Sequence, residues 1–140
     1  MNKKLNCILL IDDDEPTNYL NKKVIKELDC AENVVVAESG EKALAFLSGL
    51  KEDNSLRPEL VFLDINMPAM NGWEFLEKYQ NLPAQQRAEI VIVMLTTSLN
   101  PSDYEKSKEY ESINDFKNKP LAKQDLENLL YQYFWKSTEP

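Results

Sequence analysis

Hydrophobic and polar positions alternate along this chain in blocks that predict strands and helices in turn. Four short apolar runs, rich in β-branched residues, are typical of strands buried on both faces. These runs are 6–11, 34–37, 60–63 and 90–95, and a weaker fifth run covers 113–116. Between the runs, apolar residues recur at helical spacing, as at Leu20, Val24 and Leu28 after Pro16. This alternation predicts an α/β fold: a doubly wound, five-stranded parallel sheet with helices on both faces.

Two further helices are predicted, and they differ in character. Ser102–Tyr110 is almost entirely polar, whereas the segment from Leu121 to Phe134 carries a clear apolar stripe. Only five residues follow Trp135. We therefore expect one domain over 1–140, with its core at about 5–135 and with no output domain.

Two of the predicted strands end abruptly in aspartate. Asp12 and Asp13 follow the first strand, and Asp64 follows the third. In a doubly wound sheet the first, third and fourth strands are central, and their carboxyl ends meet at the edge where ligands bind. Thr96 lies at the end of the fourth strand, and Lys119 follows the fifth. Clustered carboxylates suit Mg²⁺, and a carboxylate can act as a nucleophile that becomes an aspartyl phosphate.

Composition excludes several other classes of function. The net charge of −8 argues against nucleic-acid binding, and the absence of histidine excludes Ser-His-Asp and Cys-His catalysis. The three glycines are too dispersed to form a phosphate-binding loop. Two cysteines without histidine exclude a structural zinc site, and Cys7 is expected to be a buried, reduced thiol. No apolar run is long enough to span a membrane, so we expect a cytoplasmic protein.

Four motifs at predicted strand ends resemble the response-regulator receiver domains of two-component signalling, the CheY-like family. The motifs are the acidic pair Asp12-Asp13, the segment Asp64-Ile65-Asn66-Met67-Pro68 with Gly72, the pair Leu95-Thr96, and Lys119-Pro120. The resemblance covers Leu5 to about Phe134. Each motif alone is weak evidence, but the four in this order are specific.

The resemblance implies a role for each of these positions. Asp64 is expected to be the phosphoacceptor, and Asp12, Asp13, Asp64 and the backbone carbonyl of Asn66 are expected to hold Mg²⁺. Lys119 is expected to pair with a phosphoryl oxygen, and its peptide bond to Pro120 is expected to be cis. Thr96 is expected to bind the phosphoryl group and to form the conformational switch together with Phe116. Asp14 is interpreted as a helix cap, and Trp73 and Trp135 as packing residues.

The implied function is that of a stand-alone receiver that is not an enzyme acting on a separate substrate. A sensor histidine kinase or a histidine phosphotransfer protein would donate the phosphoryl group, and an unidentified protein would receive the signal. The chain could be a monomer or a phosphorylation-dependent dimer. Two alternatives stay open: a degenerate receiver that only binds partners, and an aspartyl phosphatase or phosphotransferase of the haloacid-dehalogenase type. The second needs a threonine where Pro16 stands.

Overall fold

The structure is a computed structural model that describes residues 3–50, 56–83, 90–97, 101–110 and 112–135. The strands are β1 (Leu5–Ile11), β2 (Ala31–Ala37), β3 (Leu60–Asp64), β4 (Val91–Thr96) and β5 (Ile113–Asn118). The helices are α1 (Glu15–Leu28), α2 (Gly40–Ser48), α3 (Gly72–Gln80), α4 (Pro101–Ser107) and α5 (Lys123–Leu130), and a π-helical turn (Tyr131–Trp135) continues α5. The predicted alternation of strands and helices is therefore confirmed.

The five strands form one parallel sheet in the order β2-β1-β3-β4-β5. This is the strand order of flavodoxin-like, doubly wound folds, as predicted. The central position of β1, β3 and β4 brings their carboxyl ends to one edge. Ile11 is in register with Leu63, and Asp64 is in register with Leu95, so the residues that end these strands lie side by side.

Two apolar clusters cover the two faces of the sheet. One packs α2 and α3 against inward-facing residues such as Leu9 and Leu63, and the other packs α1 and α5 against residues such as Ile8 and Phe62. Trp73 belongs to the first cluster, with 6% of its surface exposed, and Trp135 to the second, with 8% exposed. Both tryptophans therefore pack in the core, as predicted.

Local signals in the sequence define where the helices start. Asp14 caps α1 by accepting a hydrogen bond from the backbone N–H of Thr17 at 3.0 Å, which confirms its predicted role. Asn71 caps α3 in a reciprocal arrangement with Glu74, whose carboxylate accepts from the Asn71 N–H at 3.0 Å. The two caps fix where α1 begins after Asp12 and Asp13 and where α3 begins after Asp64.

The buried face of α1 differs from the predicted apolar stripe. Leu20 is 42% exposed, while Asn18, Asn21 and Ile25 are 5%, 1% and 1% exposed. Asn18 and Asn21 therefore face the protein interior, on the same side of the helix as Ile25. This orientation satisfies backbone groups in the neighbouring loops, which a hydrophobic pattern cannot reveal.

Both cysteines are buried free thiols, as predicted for Cys7. Burial raises the pKa of Cys7 and of Cys30 to about 11, so neither is ionised near neutral pH. Within the described part of the chain, no helix combines the length and the apolar character needed to cross a membrane.

Candidate functional site

Three carboxylates meet at the carboxyl edge of the sheet. Asp12 and Asp13 follow β1, Asp64 ends β3, and one oxygen from each lies within 4.8 Å of the others. Asp12 and Asp64 are buried, with 3% and 2% of their surfaces exposed, whereas Asp13 is exposed. The structure thus brings together the three acidic side chains that the sequence predicts.

Lys119 joins this cluster from the loop after β5. Its ammonium nitrogen lies 3.0 Å from Asp64 Oδ1 and 3.1 Å from Asp12 Oδ2. The Lys119 N–H donates to the carbonyl of Thr96 at 2.9 Å, and the Lys119-Pro120 bond is cis, as the resemblance implies. Burial lowers the pKa of Lys119, but its hydrogen bonds to Asp64 and Asp12 outweigh burial and leave the pKa raised. The lysine is therefore a cation shared by two carboxylates.

The two oxygens of Asp64 have different environments. Oδ1 accepts from Lys119 and, at 3.3 Å, from the backbone N–H of Asn66. Oδ2 is buried and has no hydrogen-bond partner among the residues that the structure describes. Burial raises the pKa of Asp64 to about 6, and Lys119 opposes only part of this rise. A buried carboxylate oxygen without a partner is costly, which marks Oδ2 as a position meant for a ligand or for reaction.

The cluster has the chemistry of a Mg²⁺ site. Three carboxylates against one ammonium leave an excess of negative charge, and all the acidic donors are hard oxygens. Asp64 Oδ2, which has no hydrogen-bond partner among the described residues, is an oxygen that can coordinate a cation or form a bond to phosphorus. Asn66, whose backbone carbonyl is the fourth predicted ligand, lies on the loop that directly follows Asp64 and is exposed. The residues present therefore fit Mg²⁺.

The loop between β3 and α3 is tight, and it depends on Gly72. The Gly72 N–H donates to the carbonyl of Ile65 at 2.8 Å. A Cβ at Gly72 would lie 2.7 Å from the backbone oxygen of Asp64 and 3.0 Å from the Cα of Ile65. Because both neighbours are backbone atoms, only glycine allows α3 to start this close to Asp64.

Thr96 and Phe116, the two predicted switch residues, lie on adjacent strands. Thr96 ends β4 with 2% of its surface exposed, at the same sheet edge as Asp64. Phe116 is half-buried in β5, in register with Met94. Its ring lies 6.4 Å from the rings of Trp73 and of Tyr104, between centroids.

Trp73 connects α3 to the region around α4, which its interpretation as a packing residue did not anticipate. Its ring lies 5.5 Å from that of Tyr110, and the ammonium of Lys106 lies 5.3 Å from its centroid. The Tyr110 hydroxyl donates to Glu77 in α3 at 3.2 Å. No residue of α4 is buried, so these contacts at its surface attach it to the domain.

Two asparagines on α1 contact the loops that carry the site residues, and the sequence analysis missed both. Asn18 Nδ2 donates to the backbone carbonyl of Asp12 at 2.9 Å. Asn21 Oδ1 accepts from the backbone N–H of Leu121 at 2.9 Å, two residues after Lys119. The available signal was their spacing of three residues, which continues to Ile25 and places all three on one helical face.

An open groove of about 830 Å³ lies elsewhere, between α1 and the edge strand β2. Its lining includes Tyr19, Lys22, Lys26, Val34 and Val36, and none of the clustered carboxylates. The groove is therefore separate from the acidic site.

A flavodoxin-like sheet with paired acidic groups, a strand-end aspartate and a lysine at one edge defines the class of phosphoacceptor signalling domains. Comparison with known proteins agrees: residues 8–131 match the family model described as "Response regulator receiver domain". The chain belongs to this family, and it is a receiver of two-component signal transduction. Such domains receive their phosphoryl group from a phosphodonor protein such as a histidine kinase.

Individual relatives show the same likeness. The chain is 33% identical over 134 residues to response regulator Rcp1 of Synechocystis, covering 94% of this chain and 89% of Rcp1. Among solved structures, a two-component response regulator from Cytophaga hutchinsonii has a TM-score of 0.84 and 30% identity, covering 94% of this chain and 98% of its own. A receiver protein from Dyadobacter fermentans has a TM-score of 0.80 and 26% identity, with coverage of 91% and 96%. These matches favour the receiver over the haloacid-dehalogenase alternative, which gains no support from them.

Proposed function

We propose that Asp64 is the phosphoacceptor of a stand-alone, Mg²⁺-dependent receiver. The observation that carries this proposal is the asymmetry of its carboxylate. Lys119 and the Asn66 N–H hold Oδ1, while the buried Oδ2 has no hydrogen-bond partner within the described part of the chain. Oδ2 is therefore the oxygen that is available to attack phosphorus.

The donor is a phosphohistidine on a sensor kinase or on a phosphotransfer protein, since this chain has no histidine. An Asp64 oxygen forms the new O–P bond as the P–N bond of the donor breaks, and the bonding pair stays with the departing imidazole. Lys119, held beside Asp64, neutralises charge on a phosphoryl oxygen. Asp12, Asp13, Asp64 and the Asn66 carbonyl would hold Mg²⁺, which would supply further charge neutralisation at the phosphoryl oxygens.

Phosphorylation then acts on the two switch residues. Thr96 moves towards the phosphoryl group, and the ring of Phe116 turns inward between β5 and α4. Phenylalanine can pack but cannot donate a hydrogen bond, so the change is transmitted by shape alone. The changed surface binds a downstream protein or a second copy of the chain. The protein performs chemistry on itself, does not turn over a separate substrate, and acts in the cytoplasm.

The test is the variant Asp64→Asn, assayed with Mg²⁺ and acetyl phosphate and followed by intact mass. We expect the addition of one phosphoryl group to the native chain and none to the variant. Asp29→Asn is the matched control, because Asp29 is an exposed aspartate that pairs with Lys4 on the surface. It makes the same change in charge and should be labelled normally.

Peptide mapping separates the remaining alternatives. A phosphoryl group on Asp12 would point to haloacid-dehalogenase chemistry and overturn the assignment of Asp64. Absence of labelling in the native chain, from acetyl phosphate and from histidine kinases alike, would leave a receiver that only binds partners.

A further inference from the structure

We infer that α1 positions the reactive groups through Asn18 and Asn21, which hold the metal-binding loop and the lysine loop respectively. This inference rests on the proposed function, and it assigns the two asparagines different tasks. Both are positioning residues, because each acts through the backbone of a neighbouring loop.

The Asn18 contact fixes the loop that carries Asp12 and Asp13. Asn18 Nδ2 donates to the carbonyl of Asp12 at 2.9 Å, and the Asp14 N–H donates to Asp12 Oδ1 at the same distance. These bonds hold both the backbone and the side chain of Asp12 beside Asp64. Hydrogen bonds behind a metal ligand set its orientation and thereby its affinity for the metal.

The Asn21 contact fixes the loop that carries Lys119. Its Oδ1 accepts from the N–H of Leu121, and both residues are almost fully buried, at 1% and 2% exposure. The Lys119 N–H is also held, by the carbonyl of Thr96. The lysine is thus anchored on both sides, once to β4 and once to α1.

Stability alone does not account for Asn18. It is 5% exposed, and its Oδ1 is buried without a hydrogen-bond partner among the described residues. Burying such an oxygen costs free energy that an apolar side chain would avoid. The position of Ile25, seven residues later on the same face and 1% exposed, shows that this face accepts an apolar residue. The hydrogen bond to the Asp12 loop explains why position 18 is an asparagine, which packing alone does not.

The two asparagines are three residues apart on one rigid helix, so α1 links the two loops into one unit. The metal ligands and the lysine approach Asp64 from opposite sides of β3: Asp12 and Asp13 follow the adjacent strand β1, and Lys119 follows β5, which lies beyond β4. Because both loops are hydrogen-bonded to α1, the spacing between the metal ligands and Lys119 stays constant before a phosphodonor binds. Preorganised charge stabilisation requires such a fixed spacing.

The experiment compares Asn18→Leu and Asn21→Leu, two neutral changes of similar size, with Ile25→Ala as a control on the same face of α1. Calorimetry measures Mg²⁺ binding to the unphosphorylated protein. Binding of beryllofluoride, an analogue of the phosphoryl group, is then measured at saturating Mg²⁺. Thermal unfolding records the loss of stability of each variant, and Asn18→Ser and Asn21→Ser replace any leucine variant that fails to fold.

We expect Asn18→Leu to weaken Mg²⁺ binding about 10-fold, which is within the range for supporting residues of metal sites. Asn21→Leu should leave Mg²⁺ binding no weaker but lower beryllofluoride affinity by a similar factor. Ile25→Ala should lower the unfolding temperature without changing either constant.

Asparagine variants that behave like Ile25→Ala would overturn the inference, as would a parallel change of both constants in both variants. These outcomes differ from a failure of the proposed function. In that case the native protein itself would bind neither Mg²⁺ nor beryllofluoride.

Discussion

The carboxyl edge of the sheet and the α4 region are built in opposite ways. At the edge, Asp12, Asp64 and Thr96 are each at most 3% exposed, and Lys119 lies between two carboxylates. In α4 no residue is buried, and the helix is attached through aromatic and lysine contacts at its surface. The polar and charged groups of the edge are thus held rigidly, while α4 is held weakly.

This difference suits a switch. Elements with few buried apolar contacts open or shift at low cost in free energy, whereas buried hydrogen-bonded groups do not. In the proposed switch, a phosphoryl group can shift α4 only by as much as it interacts differently with the two positions of that helix. Weak attachment of α4 lowers the free energy that such a shift requires.

The largest expected effect at the rigid edge comes from Gly72→Ala. The added Cβ would clash with backbone atoms of Asp64 and Ile65, and neither can move without distorting the loop between β3 and α3. We expect a loss of about 3 kcal/mol in the free energy of unfolding. Labelling by acetyl phosphate should slow as well, because Asp64 is displaced. Urea denaturation measures the first effect and intact mass the second.

Gly49→Ala is the control for that variant. A Cβ at Gly49 would lie 3.5 Å from the carbonyl oxygen of Ala45, which is an ordinary contact. The free energy of unfolding should therefore change by no more than about 0.5 kcal/mol. Equal free energies of unfolding for Gly72→Ala and Gly49→Ala would mean that the loop between β3 and α3 is not tightly constrained.

The second prediction concerns the dependence of stability on pH in metal-free buffer. Burial raises the pKa of Asp64 from 3.8 to about 6, so the folded state retains a proton that the unfolded chain has released. The free energy of unfolding therefore falls as the pH rises from 3.8 to about 6. Above this interval the full cost of ionising the buried carboxyl group of Asp64 is present. Asp64→Asn removes this cost.

The variant should consequently be more stable than the native protein at pH 7.5, by up to about 3 kcal/mol. The difference should shrink towards pH 4, and Mg²⁺ should stabilise only the native protein. Thermal unfolding across this pH range gives the measurement. A less stable variant at pH 7.5 would show that the bond between Asp64 and Lys119 outweighs the burial of Asp64.

The sequence was sufficient to predict which charged residues meet at the carboxyl edge of the sheet. Asp12, Asp13, Asp64 and Lys119 follow strands, and parallel strands bring such residues to one edge by topology alone. The buried asparagines of α1 could not be predicted in this way. The apolar residues of that helix suggest a stripe through Leu20, which is 42% exposed. The true face is set by backbone groups of the loops after β1 and β5, at Asp12 and at Leu121, which the pattern of apolar residues does not include.

The α4 region shows the same limit. Its polar composition predicts a helix over Ser102–Tyr110, and the structure has one at Pro101–Ser107. Two of the contacts that attach this region, those of Lys106 and Tyr110, are made to Trp73, which lies 28 residues earlier than Pro101 in the chain. Such pairings follow from the tertiary arrangement of α3 and β5, so they appear only in the structure.

The smallest expected effect is that of Tyr104→Ala, which tests the weak attachment of α4. Tyr104 is 51% exposed, and its ring lies 6.4 Å from that of Phe116. An aromatic pair with one exposed member contributes little, so the free energy of unfolding should fall by about 1 kcal/mol or less. Amide hydrogens of α4 should nevertheless exchange faster, because the helix loses the contact between Tyr104 and Phe116. Phe75→Ala, a change at a ring that is 1% exposed in α3, is the contrasting control, with an expected loss of about 4 kcal/mol.

Hydrogen exchange decides between two arrangements of α4. If Tyr104→Ala accelerates exchange in α4 and leaves the sheet strands unchanged, the helix opens independently of the core. If the variant instead costs as much as Phe75→Ala and all elements exchange together, α4 belongs to the same cooperative unit as the sheet. The contrast between a rigid edge and a weakly held helix would then be wrong, and phosphorylation would have to shift the whole domain to change its surface.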